Sequence, residues 1–193
     1  MSLIAQLRER TGLGMMDCKK ALEETNGDIE KAIELLRKKG AAVAAKRSDK
    51  TTAQGRVHSY IHPGEQVGVL LELNCETDFV ARTDAIKELA HNVCMHIAAM
   101  KPLYLSAQDV DGTFLEKEKE IMKELLAQSG KTGKIADQIL EGKIKKLYTE
   151  ICLLEQPFIK NDKLTINQVL QEIIAKTGEN IKIARFARYQ VGS

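Results

Sequence analysis

Tryptophan is absent from this chain of 193 residues, and Phe and Tyr appear only four times each. With so few aromatics, no basic stretch is interleaved with rings on which bases could stack. The net charge of +2 is also too small to draw a polyanion by electrostatics alone. A direct nucleic-acid partner is therefore not expected. Long apolar runs are missing too: nothing approaches the roughly 18 residues of a membrane span. The opening "MSLIAQLRER" carries charge too early for a signal peptide and has no small-residue cleavage site, so a cytoplasmic protein is expected. Cysteine is sparse and scattered. Cys18, Cys75, Cys94 and Cys152 form no CxxC pair, which reads as free thiols and not as a disulfide framework or a zinc site. His58 and His62 fall on a strand-like stretch at separate levels. His91 and His96 do not share a helix face, so no metal is expected at either pair.

What is present is ordinary for a globular protein, with 44% hydrophobic and 29% charged residues in a length that allows one core and a small appendage. Residues 1–40 read as three short helices. Leu3, Ile4 and Leu7 mark the first, and "TGLG" at 11–14 breaks it; Met15, Cys18, Ala21 and Leu22 carry the second. Asp28 is the expected N-cap of the third, whose Ile29, Ala32, Ile33 and Leu36 follow helical spacing. So small a core suits a binding module. The basic, alanine-rich stretch 41–55 reads as a solvated helix-and-linker with a flexible joint near Thr51–Gly55.

The period then changes to two. Val57, Ser59 and Ile61, then "HPGEQ", then Val67, Val69, Leu71, Leu73 and Cys75 predict a β-hairpin. After Thr77 a helical stripe follows through Ile86, Leu89, Ala90, Val93 and Ile97. Residues 106–152 read as helical, with a capping box expected at "TFLE" (113–116), and a second box, "TINQ" (165–168), is expected to open a later helix through Val169, Ile173 and Ile174. A closing strand is expected to place Ile181, Ile183, Ala187, Tyr189 and Val191 on one face. Helices flanking a small antiparallel sheet make the fold α+β, with a core spanning 56–193.

No catalytic constellation is present. "GKT" at 130–132 resembles the tail of a phosphate-binding loop, but Leu125 stands where the first Gly belongs, and helices flank it on both sides. The carboxylates sit on charged helix faces such as "EKEKE". A protein that acts by binding, with no cofactor of its own and no enzymatic activity, is expected. Within "NCETDFVAR" (74–82), Phe79 sits at a turn, beside Thr77 and Asp78. Periodicity alone would make it the first core residue of the next helix.

Four stretches resemble bacterial elongation factor Ts in that family's own order: "RERTGLGMMDCKKALEETNGDIEKAI", "NCETDFVAR", "KIADQILEGKIKKLYTEICLLEQPF" and "RFARYQVG". The resemblance spans nearly the whole chain. It implies a ubiquitin-associated-like three-helix module, followed by a core of helices and a three-stranded antiparallel sheet. It also implies guanine nucleotide exchange on elongation factor Tu, in its GDP-bound and nucleotide-free forms. In the family, the turn that matches Thr77, Asp78, Phe79 and Val80 enters between helices of Tu and disturbs the groups that hold Mg²⁺. The residues matching Met15 and Met16 face Tu from the module, with Leu7 on the same surface. Met15 and Met16 would otherwise read as module core. Longer members duplicate the core, whereas this chain has room for one copy, so the resemblance implies a homodimer and a two-to-two complex. The rival readings are a ubiquitin-associated-type module fused to an unrelated domain and a nucleotide-using enzyme built on "SGKTGK". Each covers one region of the chain only.

Overall fold

The helical stripes at the N-terminus become α1 (Leu3–Thr11), α2 (Met15–Glu24) and α3 (Ile29–Arg47) in the computed structural model, which describes residues 2–130 and 132–192. Gly12 ends α1 in the left-handed region at φ 68°, a conformation that a residue with a Cβ adopts at a cost. Asp28 caps α3 as its position predicts, its carboxylate accepting the Lys31 N–H at 3.1 Å. Leu7, Cys18, Ala21, Leu22, Ala32 and Leu36 close a small core of their own.

Helix α3 does not stop where that core ends. It runs on to Arg47 and puts Ala44 into the second, larger core. Gly40 marks the crossing. It faces α8 (Ile166–Thr177), and a Cβ on it would lie 3.2 Å from the Ala175 Cβ. The missing side chain lets the two helices approach closely, and Arg37 Nε reaches Glu172 at 3.1 Å beside it.

The expected hairpin is β1 (Gln54–Ile61) and β2 (Val67–Cys75), and β5 (Ile181–Gln190) pairs along the other edge of β2, giving an antiparallel sheet in the order β1-β2-β5. Gln54 and Gly55, from the stretch read as a joint, already belong to the ladder. A Cβ on Gly55 would sit 2.3 Å from the Leu73 carbonyl oxygen, so only glycine permits this pairing. Val69, Leu71, Leu73 and Cys75 line the buried face, under Ile86, Leu89, Val93 and Ile97 of α5 (Asp84–Met100) and under Leu170 and Ile174 of α8. Burial of side chains this size contributes about 1.5–3 kcal/mol each, which holds the sheet to its helices.

Four details depart from the sequence reading. The helix after β2 is broken in two, α4 (Asp78–Ala81) and then α5, because Thr83 caps a new start by accepting the Ile86 N–H. The helix at 112 is capped by Asp111 and not by Thr113, which lies inside α6 (Gly112–Gln128). Residues 101–111 are largely irregular, with a short 3₁₀ turn at Ala107–Asp109. The helical reading therefore holds for α6 and α7 (Gly133–Ile151) but not for the start of its span. Within "GKT", Lys131 lies outside the described residues.

The fourth departure is in β5. Glu72 pairs with Arg185 but Leu73 pairs with Ile183, so a bulge at Ala184 shifts the register. Ile181 and Ile183 point into the core, while Ala187 and Tyr189 fall on the opposite face. The single expected face is divided by one inserted residue. A small hairpin, β3 (Pro157–Phe158) with β4 (Asn161–Thr165), precedes α8, whose expected capping box of Thr165 and Gln168 is present.

One buried polar group ties α5 to this hairpin. His96 is fully buried; its Nδ1 accepts the Ile159 N–H at 3.2 Å, so its Nε2 carries the proton and donates to Gln156 Oε1 at 2.9 Å. Gln156 passes its own amide hydrogen to the Glu150 carbonyl at 2.7 Å.

Candidate functional site

At the end of β2 the chain leaves the sheet at Cys75 and turns through Glu76 and Thr77 into α4. Thr77 holds extended angles, and its hydroxyl accepts the Val80 N–H at 3.3 Å, which starts the short helix. Ala81 is buried and Val80 packs half-buried against the main core. With those two turned inward, Phe79 is directed outward and is 81% exposed. Full burial of a Phe is worth about 1.5–3 kcal/mol, and the fold forgoes it here. The core-residue reading of Phe79 is thereby excluded. Asp78 stands beside it, in a surface ion pair with Arg82 at 3.0 Å.

The turn is held from the far end of the chain. Glu179 Oε2 accepts the Thr77 N–H at 3.0 Å, and its Oε1 accepts the Thr77 hydroxyl at 2.7 Å. Next to it, the Glu76 carboxylate accepts the Asn180 N–H at 2.6 Å and meets Arg47 at 3.2 Å. Sequence reasoning missed these residues. Gly178 signals a helix end, but nothing local says which turn its neighbours will meet.

The module presents a second exposed apolar group. Met15 and Met16 open α2 after Gly14 and are 59% and 61% exposed, so neither supplies the module core. Gly14 offers no side-chain cap, and Asp17 supplies a carboxylate to the first turn. Leu7 is placed differently. It is fully buried within the module core and has no side-chain surface to offer a partner. The two exposed groups therefore stand on different elements, α2 and α4, over separate cores.

A third surface is the open face of the sheet. Val57, Ile61, Leu70 and Tyr189, with Val191 just beyond the strand, are all exposed. The register puts Ser59 opposite Leu70, Leu70 opposite Ala187, and Gly68 opposite both Ile61 and Tyr189, so these side chains share one face. Charge enters that face through the Glu72–Arg185 pair, at 2.7 Å, and through Lys182 opposite Asn74 at its far end. A solvated antiparallel face is normally polar.

Reactive chemistry has little to work with. All four cysteines are buried and free, and burial pushes the thiols of Cys94 up to about 12 and Cys152 up to about 11, far from the thiolate. Among the described residues no cluster of His, Cys, Asp or Glu has the form of a metal site.

A family model described as Elongation factor TS matches residues 13–193. The protein named Elongation factor Ts from Fervidobacterium nodosum is 54% identical over 190 residues, covering 98% of this chain and 96% of that protein. Its namesake from Moorella thermoacetica is 54% identical over 189 residues, with 98% and 93% covered. The one from Thermotoga maritima is 53% identical over 192 residues, with 100% and 96% covered.

Proposed function

The chain belongs to the elongation factor Ts family and serves guanine nucleotide exchange on elongation factor Tu in translation elongation; we propose that Phe79 is the wedge that drives GDP out. The observation that carries this reading is an exposed Phe at the tip of a turn that is tied down on both sides. A rigid ring with few rotamers loses little entropy on insertion between helices of a partner. Driven into Tu, the Thr77–Val80 turn displaces the groups that hold Mg²⁺, and GDP loses its counter-ion. Asp78 brings a carboxylate to the same place, where it repels the acidic groups around the metal or accepts hydrogen bonds from nearby N–H and O–H donors.

The mechanism is coupling between two ligands of Tu and needs no bond to be made or broken. Whatever factor the exchange factor takes from GDP affinity, GDP takes from the exchange factor. GTP then displaces the exchange factor by the same reciprocity. No cofactor enters this scheme, and the cytoplasm, where elongation proceeds, is its location.

The division of labour is proposed along the chain: module 1–40 as anchor, the basic stretch 41–55 as the connection, and 56–193 as the exchange and dimerisation core. Met15 and Met16 supply the anchor's adaptable apolar contact. Leu7 supports them from beneath. The open sheet face is proposed as the homodimer interface, because exposed apolar patches of this kind mark protein contacts. A second copy seated there gives two wedges and a two-to-two complex with Tu. Tyr189 and Val191 belong to that face, without Ile181 and Ile183.

The direct test is release of a fluorescent GDP analogue from a bacterial elongation factor Tu. The chain is expected to accelerate it at saturating concentration, and no acceleration would contradict the assignment for that partner. Light scattering should find two chains per particle at micromolar concentration, and one chain after Leu70→Glu. A monomeric parent chain would remove the dimer from the scheme.

A further inference from the structure

The ladder between β2 and β5 ends at the pair Cys75–Ile181, yet the bonding between these two segments does not. Two residues further on, side chains take over. Glu179 receives both the N–H and the hydroxyl of Thr77, at 3.0 and 2.7 Å. Glu76 receives the Asn180 N–H at 2.6 Å in the opposite direction, so each segment gives one carboxylate to the other's backbone. Asn180 is buried, and its side-chain amide donates to the Ser48 and Lys50 carbonyls at 3.3 and 2.9 Å; Arg47 meets Glu76 from the same side.

We infer that Glu179 is a positioning residue for nucleotide exchange, acting by fixing the angle at which Phe79 leaves the molecule. The inference rests on the wedge reading above. Its basis is geometric. The Thr77 hydroxyl has one hydrogen and donates it to Glu179, which leaves its oxygen free to accept the Val80 N–H and start α4. Glu179 therefore sets the orientation of the group that caps the helix carrying Phe79. Bonds to a carboxylate are stronger than neutral ones, and two of them on one residue fix both its backbone and its side chain. The sheet does not need this contact, since its own ladder is complete without it. The turn does. Asn180 and Glu76 brace the same corner against the end of α3, so the wedge stands on a frame that includes the helix leading out of the module.

The experiment compares Glu179→Ala, Glu179→Gln and Phe79→Ala, alone and with Glu179→Ala and Phe79→Ala combined, in the full chain. Two readouts are taken for each: the maximal rate of GDP release from Tu and the affinity for nucleotide-free Tu. Misplacing a contact group by about 1 Å can cost on the order of 100-fold in rate, so Glu179→Ala should lower the maximal rate by about tenfold or more. Its affinity should stay within about threefold of the parent, because the other contacts remain. Glu179→Gln keeps one acceptor oxygen and should fall between. The double variant should be no slower than Phe79→Ala, since an absent ring cannot be misaimed. A parent-like rate for Glu179→Ala, equal losses of rate and affinity, or a double variant slowed by the product of the single effects would each overturn the inference. If Phe79→Ala itself releases GDP at the parent rate, the wedge reading falls and this inference falls with it. If only Phe79→Ala is slow, the wedge stands and Glu179 is a corner residue.

Discussion

The two exposed apolar sites of this molecule are built on opposite plans. Phe79 stands on a four-residue helix whose cap is itself held by a carboxylate, over a core that includes the sheet. Met15 and Met16 open a helix with no side-chain cap, after a glycine-bounded loop, over a core of six buried residues. One site pairs a stiff side chain with a stiff mount. The other pairs flexible side chains with a light mount. A residue that must force two helices apart needs the first, because any give in the mount dissipates the displacement. A residue that must follow a moving partner suits the second. In the proposed scheme, the difference separates exchange from anchorage.

The largest effect that breaks this comparison is removal of the module's floor. Leu7→Ala empties a fully buried site in a small core and should cost about 2–5 kcal/mol. Circular dichroism during denaturant titration should then show the module unfolding before the rest, with anchorage lost and the sheet intact. Simultaneous loss of both parts would show that α3 makes them one cooperative unit.

Acid should separate the two parts in the other direction. Every histidine lies in residues 58–96, so the module has none. Burial lowers the pKa of His96, and the Ile159 N–H on Nδ1 requires the neutral ring. The unfolded chain therefore takes up the proton first. Stability from this group is complete above the unfolded value of about 6.5 and is lost as pH falls from there toward the folded value, at no more than about 1.4 kcal/mol per pH unit. Denaturant melts at pH 7.5 and 5.5 should show the loss. An unchanged midpoint would mean that His96 accepts the charge where it stands.

The smallest effect is expected at the ion pair beside the wedge. Arg82 is exposed and Asp78 is half-buried at the surface, and surface pairs are worth about 0–1 kcal/mol. Arg82→Ala should leave both the melting midpoint and the plateau of GDP release close to the parent. A large fall in the plateau would assign the mounting of Phe79 to this pair and not to Thr77.

Much of this arrangement was legible in the residues. Periods of 3.6 and 2 marked the helices of the module and the hairpin, and Asp28 and Thr165 announced their helices correctly, because capping is local chemistry. What depends on contacts distant in the chain was not legible. The bulge at Ala184 divides a face that alternation alone keeps whole, and alternation carries no mark of an inserted residue. Thr83 starts a new helix, α5, within a stretch that reads as one helix. Thr113 looked like a cap because its spacing to Glu116 was right, yet Asp111 two residues earlier took the role. The site shows the same division. The outward Phe79 contradicts its own periodicity and was expected only through resemblance, while Glu179 meets Thr77 across 102 residues with no local signal at all. Resemblance puts Leu7 on the partner-facing surface, whereas it lies in the core, where its place in the apolar stripe of α1 puts it.

The most direct test of wedge against anchor is the concentration dependence of GDP release from elongation factor Tu. It should be measured for the parent chain, for Phe79→Ala, and for Met15→Ala combined with Met16→Ala. The Phe79 variant should reach a plateau at least about tenfold lower, with half-saturation within about threefold of the parent. The methionine variant should reach the parent plateau at a concentration about 5–30-fold higher, the equivalent of about 1–2 kcal/mol of lost contact. If instead the Phe79 variant reaches the parent plateau and only its half-saturation moves, Phe79 is one more binding contact and the two sites do the same work.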